Sequence, residues 1–222
     1  MINRELYMEQ ITPFIDKPFV KVITGIRRCG KSVVLRLIRE ELLRRGVSED
    51  YIIYMNFESF EWIDMKEAKA LYAHIREATK ASGKYYILLD EIQEVTDWEK
   101  AVNAFLVDLD VDIYVTGSNS RLLSSEFSTY LAGRYVAFHI MTLSFREYLL
   151  FHDLPLTISV SDRKTEFLKY LRMGGFPAIH TANYDYNAIY KIVYDIYSSV
   201  ILRDTVQRHS TDSYTHLRAH ET

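Results

Sequence analysis

Gly25-Ile26-Arg27-Arg28-Cys29-Gly30-Lys31-Ser32 is a complete G-x-x-x-x-G-K-S sequence. Its glycines let the backbone curl until N–H groups point inward at phosphate oxygens. A helix starting there adds the positive end of its dipole. Lys31 is placed to reach the outer phosphates of a nucleotide, and Ser32 to set its hydroxyl on Mg²⁺. The expected phosphate-binding set is residues 25–32 together with Val33 at the helix start. Two acids follow downstream, where Asp90 and Glu91 close the apolar run Tyr85-Tyr86-Ile87-Leu88-Leu89. Asp90 suits Mg²⁺, directly or through water. Glu91 suits general-base activation of a water that attacks a γ-phosphate.

Both features need strands to aim them. An apolar run at residues 19–24 leads into the glycine loop, and Val34, Leu35, Ile38 and Leu42 leave it on one helical face. That helix is expected over residues 31–45 with Gly46 as its C-terminal cap. Further strands are expected at 51–57, 85–90, 111–116 and 135–141. A leading helix at 2–14 is broken near Pro13 and Pro18, and another runs over 68–81. Thr96-Asp97-Trp98-Glu99 and Ser144-Phe145-Arg146-Glu147 both read as capping boxes. They open helices carrying Trp98, Ala101, Val102, Phe105, Leu106 and Leu109, and residues 145–151. Short helices are expected over 120–132. Strands that alternate with helices argue for an α/β fold with a parallel sheet. After Phe151 the pattern is helical and polar, with main helices at 162–173 and 187–206.

The chain has 222 residues, enough for one α/β domain and a small appendage. Hydrophobic residues make up 48% and charged residues 26%, which supports a proper core. A net charge of -3 gives no global basic field for nucleic acid, although a local patch stays open. Cys29 is the single cysteine, so no internal disulfide forms and a reducing, cytoplasmic setting is expected. Within the loop, Cys29 reads either as a variable position or as a redox-sensitive thiol. No apolar run is long enough for a transmembrane helix.

In order, the chain carries Gly25-x-Arg27-Arg28-x-Gly30-Lys31-Ser32, Leu88-Leu89-Asp90-Glu91-Ile92-Gln93, Thr116-Gly117-Ser118-Asn119-Ser120, Leu131-Ala132-Gly133-Arg134, Leu143-Ser144-Phe145-Arg146-Glu147-Tyr148 and Gly174-Gly175-Phe176-Pro177. This series resembles the AAA-type P-loop NTPases of the archaeal-ATPase and STAND-related branch. The resemblance covers residues 3–208. It implies a five-stranded sheet in the order 5-1-4-3-2, sandwiched by helices, with a small helical lid. It also implies ATP and Mg²⁺ as ligands, and a C-terminal restriction-nuclease-like domain in relatives. Ser118 and Asn119 would face the γ-phosphate as polar sensors, Asn119 orienting the attacking water. Arg134 matches the place of an arginine that reaches a neighbouring copy's γ-phosphate. The expected organisation is an ATPase core over 1–152, a lid over 153–208 and a disordered or non-native tail over 209–222.

Alternatives stand beside these roles. Ser118 and Asn119 also suit a turn after a strand. Arg134 could pair with an acid of its own subunit, and Arg27 and Arg28 could pack or form salt bridges with neighbours of the loop. Gly174-Gly175-Phe176-Pro177 is in any case a helix stop followed by a rigid turn. Tyr190, Tyr194 and Tyr197 share a helical face that reads as lid core or as an interface. His209, His216 and His220 lack carboxylate support for a metal. Two functions follow. One is an ATPase coupled to a C-terminal effector, with a homo-oligomer and a nucleic-acid or protein partner as further expectations. The other is a nucleotide-controlled switch that does not hydrolyse. A GTPase ranks low without an Asn-Lys-x-Asp sequence.

Overall fold

In the computed structural model, residues 4–117, 130–181 and 184–201 are described. Two compact units appear, one through Thr142 and one from Leu143 onward. Helix α5 (Phe145–Phe151), grouped with the core in the sequence reading, lies in the second unit.

The first unit is built on β1 (Val20–Gly25), β2 (Ile52–Asn56), β3 (Tyr85–Asp90), β4 (Val111–Thr116) and β5 (Tyr135–Ile140), in the order β2-β3-β4-β1-β5. Every neighbouring pair is parallel. This is the 5-1-4-3-2 order that the family resemblance implied. The helices are α1 (Glu5–Ile11), α2 (Lys31–Arg44), α3 (Ala68–Ala78) and α4 (Trp98–Asp108).

Alternating strand residues feed two cores, as a sheet covered on both faces requires. Val20, Val22, Ile87, Leu89, Ile113 and Val115 pack with residues of α3 and α4. Ile23, Tyr86, Leu88, Tyr114 and Phe138 pack with residues of α1 and α2. Gly46 closes α2 with φ +90°, while Val47 N–H bonds Leu42 O at 3.1 Å and Gly46 N–H bonds Leu43 O at 2.9 Å. These two bonds form a Schellman cap. Near the amino-terminal end of the sheet, Lys21 is buried against Asp112, and its Nζ also donates to Lys17 O at 2.9 Å. Burial pushes the Lys21 pKa down, and Asp112 opposes that.

One capping expectation fails. The residue before α4 is Asp97, in the left-handed region at φ 58°, and its side chain makes no capping bond. Thr96 is drawn into a parallel bridge with Glu67. Its N–H bonds Lys66 O at 2.9 Å, and its carbonyl accepts Ala68 N–H at 3.1 Å. A residue held on both sides in this way cannot also take cap geometry.

In the second unit the Ser144 capping box forms with both bonds present. Ser159 caps α6 (Val160–Met173), and Gly174 ends it at φ +79°. His180 Nε2 lies 2.8 Å from Gly174 O, so that nitrogen carries the proton. His180 Nδ1 accepts from His152 Nε2 at 3.0 Å. Helix α7 (Tyr186–Ile201) buries Ile189 and Ile196. Tyr190, Tyr194 and Tyr197 are 70%, 53% and 60% exposed, so the reading of this stripe as lid core is corrected. Among the described residues, no helix is long and apolar enough to cross a membrane.

Candidate functional site

Parallel pairing brings three strand ends to one edge of the sheet. Gly25 pairs with Ile140, Ile23 with Thr116 and Asn56 with Asp90. The glycine loop therefore follows β1, the two acids close β3, and Thr116 ends β4 between them. Ligands bind at this carboxyl edge in open α/β sheets.

The loop's bends are set by backbone conformation. Gly25 has φ +151°, and a Cβ there would run into the Ile140 carbonyl and the Cys29 thiol. Gly30 has φ +104°, and Arg28 also adopts a left-handed conformation at φ 64°. Val33 and Val34 N–H groups both lie 3.1 Å from Gly30 O, starting α2 directly from the loop. Lys31 is 4% exposed. Its Nζ lies 3.4 Å from the carbonyl oxygens of Gly25 and Ile26 and 3.6 Å from Glu91 Oε1. The lysine cation is thus held over the loop's own carbonyls with the base candidate beside it. Ser32 is half-buried in the first turn of α2. Ile26 is exposed at the loop's outer face.

Asp90 is fully buried. Its Oδ1 accepts from Thr116 Oγ1 at 2.5 Å and its Oδ2 from Tyr54 OH at 3.0 Å. Burial, with Asp90 beside it, pushes the Tyr54 phenol pKa up, so Tyr54 remains a donor. Thr116 Oγ1 also accepts Glu91 N–H at 3.0 Å. One hydroxyl therefore fixes the Asp90 carboxylate and the Glu91 backbone together. Glu91 sits at φ 54°, ψ 47°, and its Oε2 accepts from Gln93 Nε2 at 2.5 Å. The oxygen donors of Ser32 and Asp90 suit a hard cation such as Mg²⁺, which needs few protein ligands. Among the described residues, no cluster of three His, Cys, Asp or Glu side chains forms a metal cage.

The remaining expected residues have surroundings of their own. Arg27, within the loop, pairs with Glu58 at 3.3 Å on the surface. Cys29 is fully buried, and burial pushes its thiol pKa up, so it lacks the thiolate character of a redox sensor. Arg134 is exposed, and its Nη1 donates to Asn103 Oδ1 at 3.0 Å. It stands just before β5, whose first residue pairs with Val20 and whose last pairs with Gly25. It is therefore a full strand length, about 20 Å, from its own loop. Ser118 and Asn119 lie outside the described residues, as do residues 120–129 of the expected short helices.

Sequence reasoning missed Thr116 and Tyr54 as site residues, and above all Arg4. Arg4 is 2% exposed. It donates Nη1 to Cys29 O at 2.9 Å and Nη2 to Met141 O at 3.0 Å. Its guanidinium stacks 4.6 Å from the Tyr7 ring centroid, while Tyr7 OH accepts Met141 N–H at 3.0 Å. The start of the chain thereby pins the loop to the end of β5. Arg4→Ala would leave buried carbonyls unpaired, at a cost of roughly 3 kcal/mol. Urea unfolding is expected to show that loss. Arg4→Lys should restore only part of it, because an ammonium cannot reproduce the guanidinium fork.

Comparison with known proteins gives a consistent picture. A family model described as "AAA domain" matches residues 17–149. An uncharacterized protein of Haemophilus influenzae is 41% identical over 209 residues, covering 94% of this chain and 51% of that protein. The uncharacterized protein MJ1544 of Methanocaldococcus jannaschii is 34% identical over 215 residues, covering 95% of this chain and 46% of its own length. The chain thus spans about half the length of the curated relatives it matches. Among solved structures, AMPPCP-bound DnaA from Aquifex aeolicus is similar in fold, with a TM-score of 0.53 at 14% identity. That match covers 94% of this chain and 67% of that one.

Proposed function

The chain belongs to the AAA-domain family, and from that premise we propose that it binds ATP with Mg²⁺ and hydrolyses it. The observation that carries this reading is the meeting of Lys31 Nζ and Glu91 Oε1 at 3.6 Å, on the sheet edge that also holds Asp90. The loop N–H groups and Lys31 would bind the phosphates. Ser32 and Asp90 would hold Mg²⁺, which neutralises charge on the β- and γ-phosphate oxygens when bound. Glu91 takes a proton from the attacking water as the water oxygen bonds to Pγ. The bond from Pγ to the bridging oxygen breaks, and ADP leaves with the electron pair. Ser118 and Asn119 are proposed to orient that water.

The finer placement in the archaeal-ATPase and STAND-related branch belongs to this proposal and rests on the ordered motifs. So do action in the cytoplasm and coupling to further chain of the kind the longer relatives contain. Nucleic acid or protein would engage that further chain.

A second reading is a nucleotide-controlled switch that turns over negligibly. The bond from Arg134 to Asn103 favours it, since that arginine is engaged on its own chain. Phosphate release from MgATP, followed across protein concentration, separates the two. Specific activity that rises with concentration and is lost in Arg134→Ala is expected if a second copy supplies the arginine. No release at any concentration would leave the switch as the function.

A further inference from the structure

Gln93 is not absorbed by the roles above, yet it touches the group that matters most for turnover. It lies in the short 3₁₀ turn Ile92–Glu94 that follows Glu91. Its Nε2 donates to Glu91 Oε2 at 2.5 Å, while Glu91 Oε1 faces Lys31. Its Oε1 is shut off from solvent and finds no hydrogen-bond partner among the described residues. Leaving a buried amide oxygen unpaired is costly, so the side chain holds its bond to Glu91 at the expense of stability, which points to a role in function.

We propose that Gln93 is a positioning residue for hydrolysis: its amide N–H fixes the Glu91 carboxylate in the direction from which it takes a proton from water. The inference rests on the hydrolytic reading and deepens it. The left-handed backbone of Glu91 and the Thr116 clamp fix where the glutamate begins. Neither reaches its carboxylate, which among the described residues meets Lys31 on one oxygen and Gln93 on the other. An amide suits this place because it donates to the carboxylate without bringing a charge of its own, so Glu91 keeps its capacity to accept a proton.

The test compares the wild-type chain with Gln93→Met and Gln93→Glu. Methionine keeps the length and removes both polar atoms. Glutamate keeps the shape and an acceptor but loses the donor to Glu91. In both, kcat is expected to fall roughly 10- to 100-fold, with MgATP affinity within about twofold by calorimetry. The methionine variant should melt no lower than wild type, since it removes the unpaired oxygen along with the bond. A purely structural Gln93 gives the reverse pattern, a lowered melting temperature with kcat per folded molecule unchanged, and that pattern overturns the proposal. Should the methionine variant not fold, unchanged kcat in Gln93→Glu overturns it equally. A wild-type chain without turnover brings down the hydrolytic reading, and this assignment with it. Wild-type turnover matched by both variants brings down this assignment alone.

Discussion

Lys31→Ala is expected to abolish measurable MgATP binding in calorimetry while the chain stays folded. The lysine is nearly fully buried, and its ammonium is held by the Gly25 and Ile26 carbonyls rather than by solvent. Its position is therefore set before phosphate arrives, and little side-chain entropy is lost on binding. Removing one partner of a buried charge pair costs roughly 3–5 kcal/mol. Each 1.4 kcal/mol is about tenfold in dissociation constant, so the loss is on the order of a hundred- to several-thousand-fold. Circular dichroism checks the fold, because Lys31 opens α2 through its backbone and alanine serves that role equally well. Unchanged affinity would sink the assignment of residues 25–32 as the phosphate loop.

What the sequence disclosed and what it hid follow from how each feature is built. The glycine loop and the Asp90-Glu91 pair are made of consecutive residues, so the chemistry proposed for them can be read in a line. Strands β1, β3 and β4 were legible too, since runs buried on both faces are mainly apolar, although β1 also buries Lys21 and β4 Asp112. The strand order was accessible only through the family resemblance, because hydrophobic pattern does not say which strand lies beside which. Thr116, Tyr54 and Arg4 reach the site from distant segments, with 26, 36 and 25 residues separating the bonded partners. No local spacing announces such a contact. Arg4 in particular looks like any arginine before a surface helix, and only the fold shows its guanidinium on the Cys29 carbonyl.

The two capping sequences teach the same lesson from the other side. Thr96-x-x-Glu99 and Ser144-x-x-Glu147 carry the same signature, and only the second forms the box. Ser144 keeps its N–H for Glu147 Oε2 at 2.8 Å. Thr96 has its N–H taken by Lys66 O, so the reciprocal bond is lost to a tertiary partner. The tyrosines of α7 show a related limit. Their spacing places them on one face, but Ile189 and Ile196 decide which face is buried. A stripe of amphipathic rings alone does not identify the inner side of a helix.

Glu91→Gln is expected to keep MgATP binding within a few-fold and to lower turnover roughly 10²- to 10⁴-fold, the range for loss of a positioned general base. Glutamine has nearly the same shape, and the Glu91 backbone is held by Thr116 Oγ1 through an N–H that the substitution leaves in place. Asp90 keeps both of its hydrogen bonds, to Thr116 and Tyr54, so the candidate cation site is unaltered. The capacity to accept a proton and the charge facing Lys31 are removed, and one of the two oxygens becomes an amide donor, so either Lys31 or Gln93 loses its acceptor. Loss of that charge frees Lys31 for phosphate, which argues for affinity that is maintained or raised. Single-turnover phosphate release, read beside calorimetry on the same preparation, separates the two effects. Release that persists within tenfold of wild type would place the base elsewhere. Weakened binding with normal release from the bound state would make Glu91 a ligand-positioning group. A loss here larger than in Gln93→Met would fit the roles proposed for them, Glu91 taking the proton and Gln93 holding Glu91.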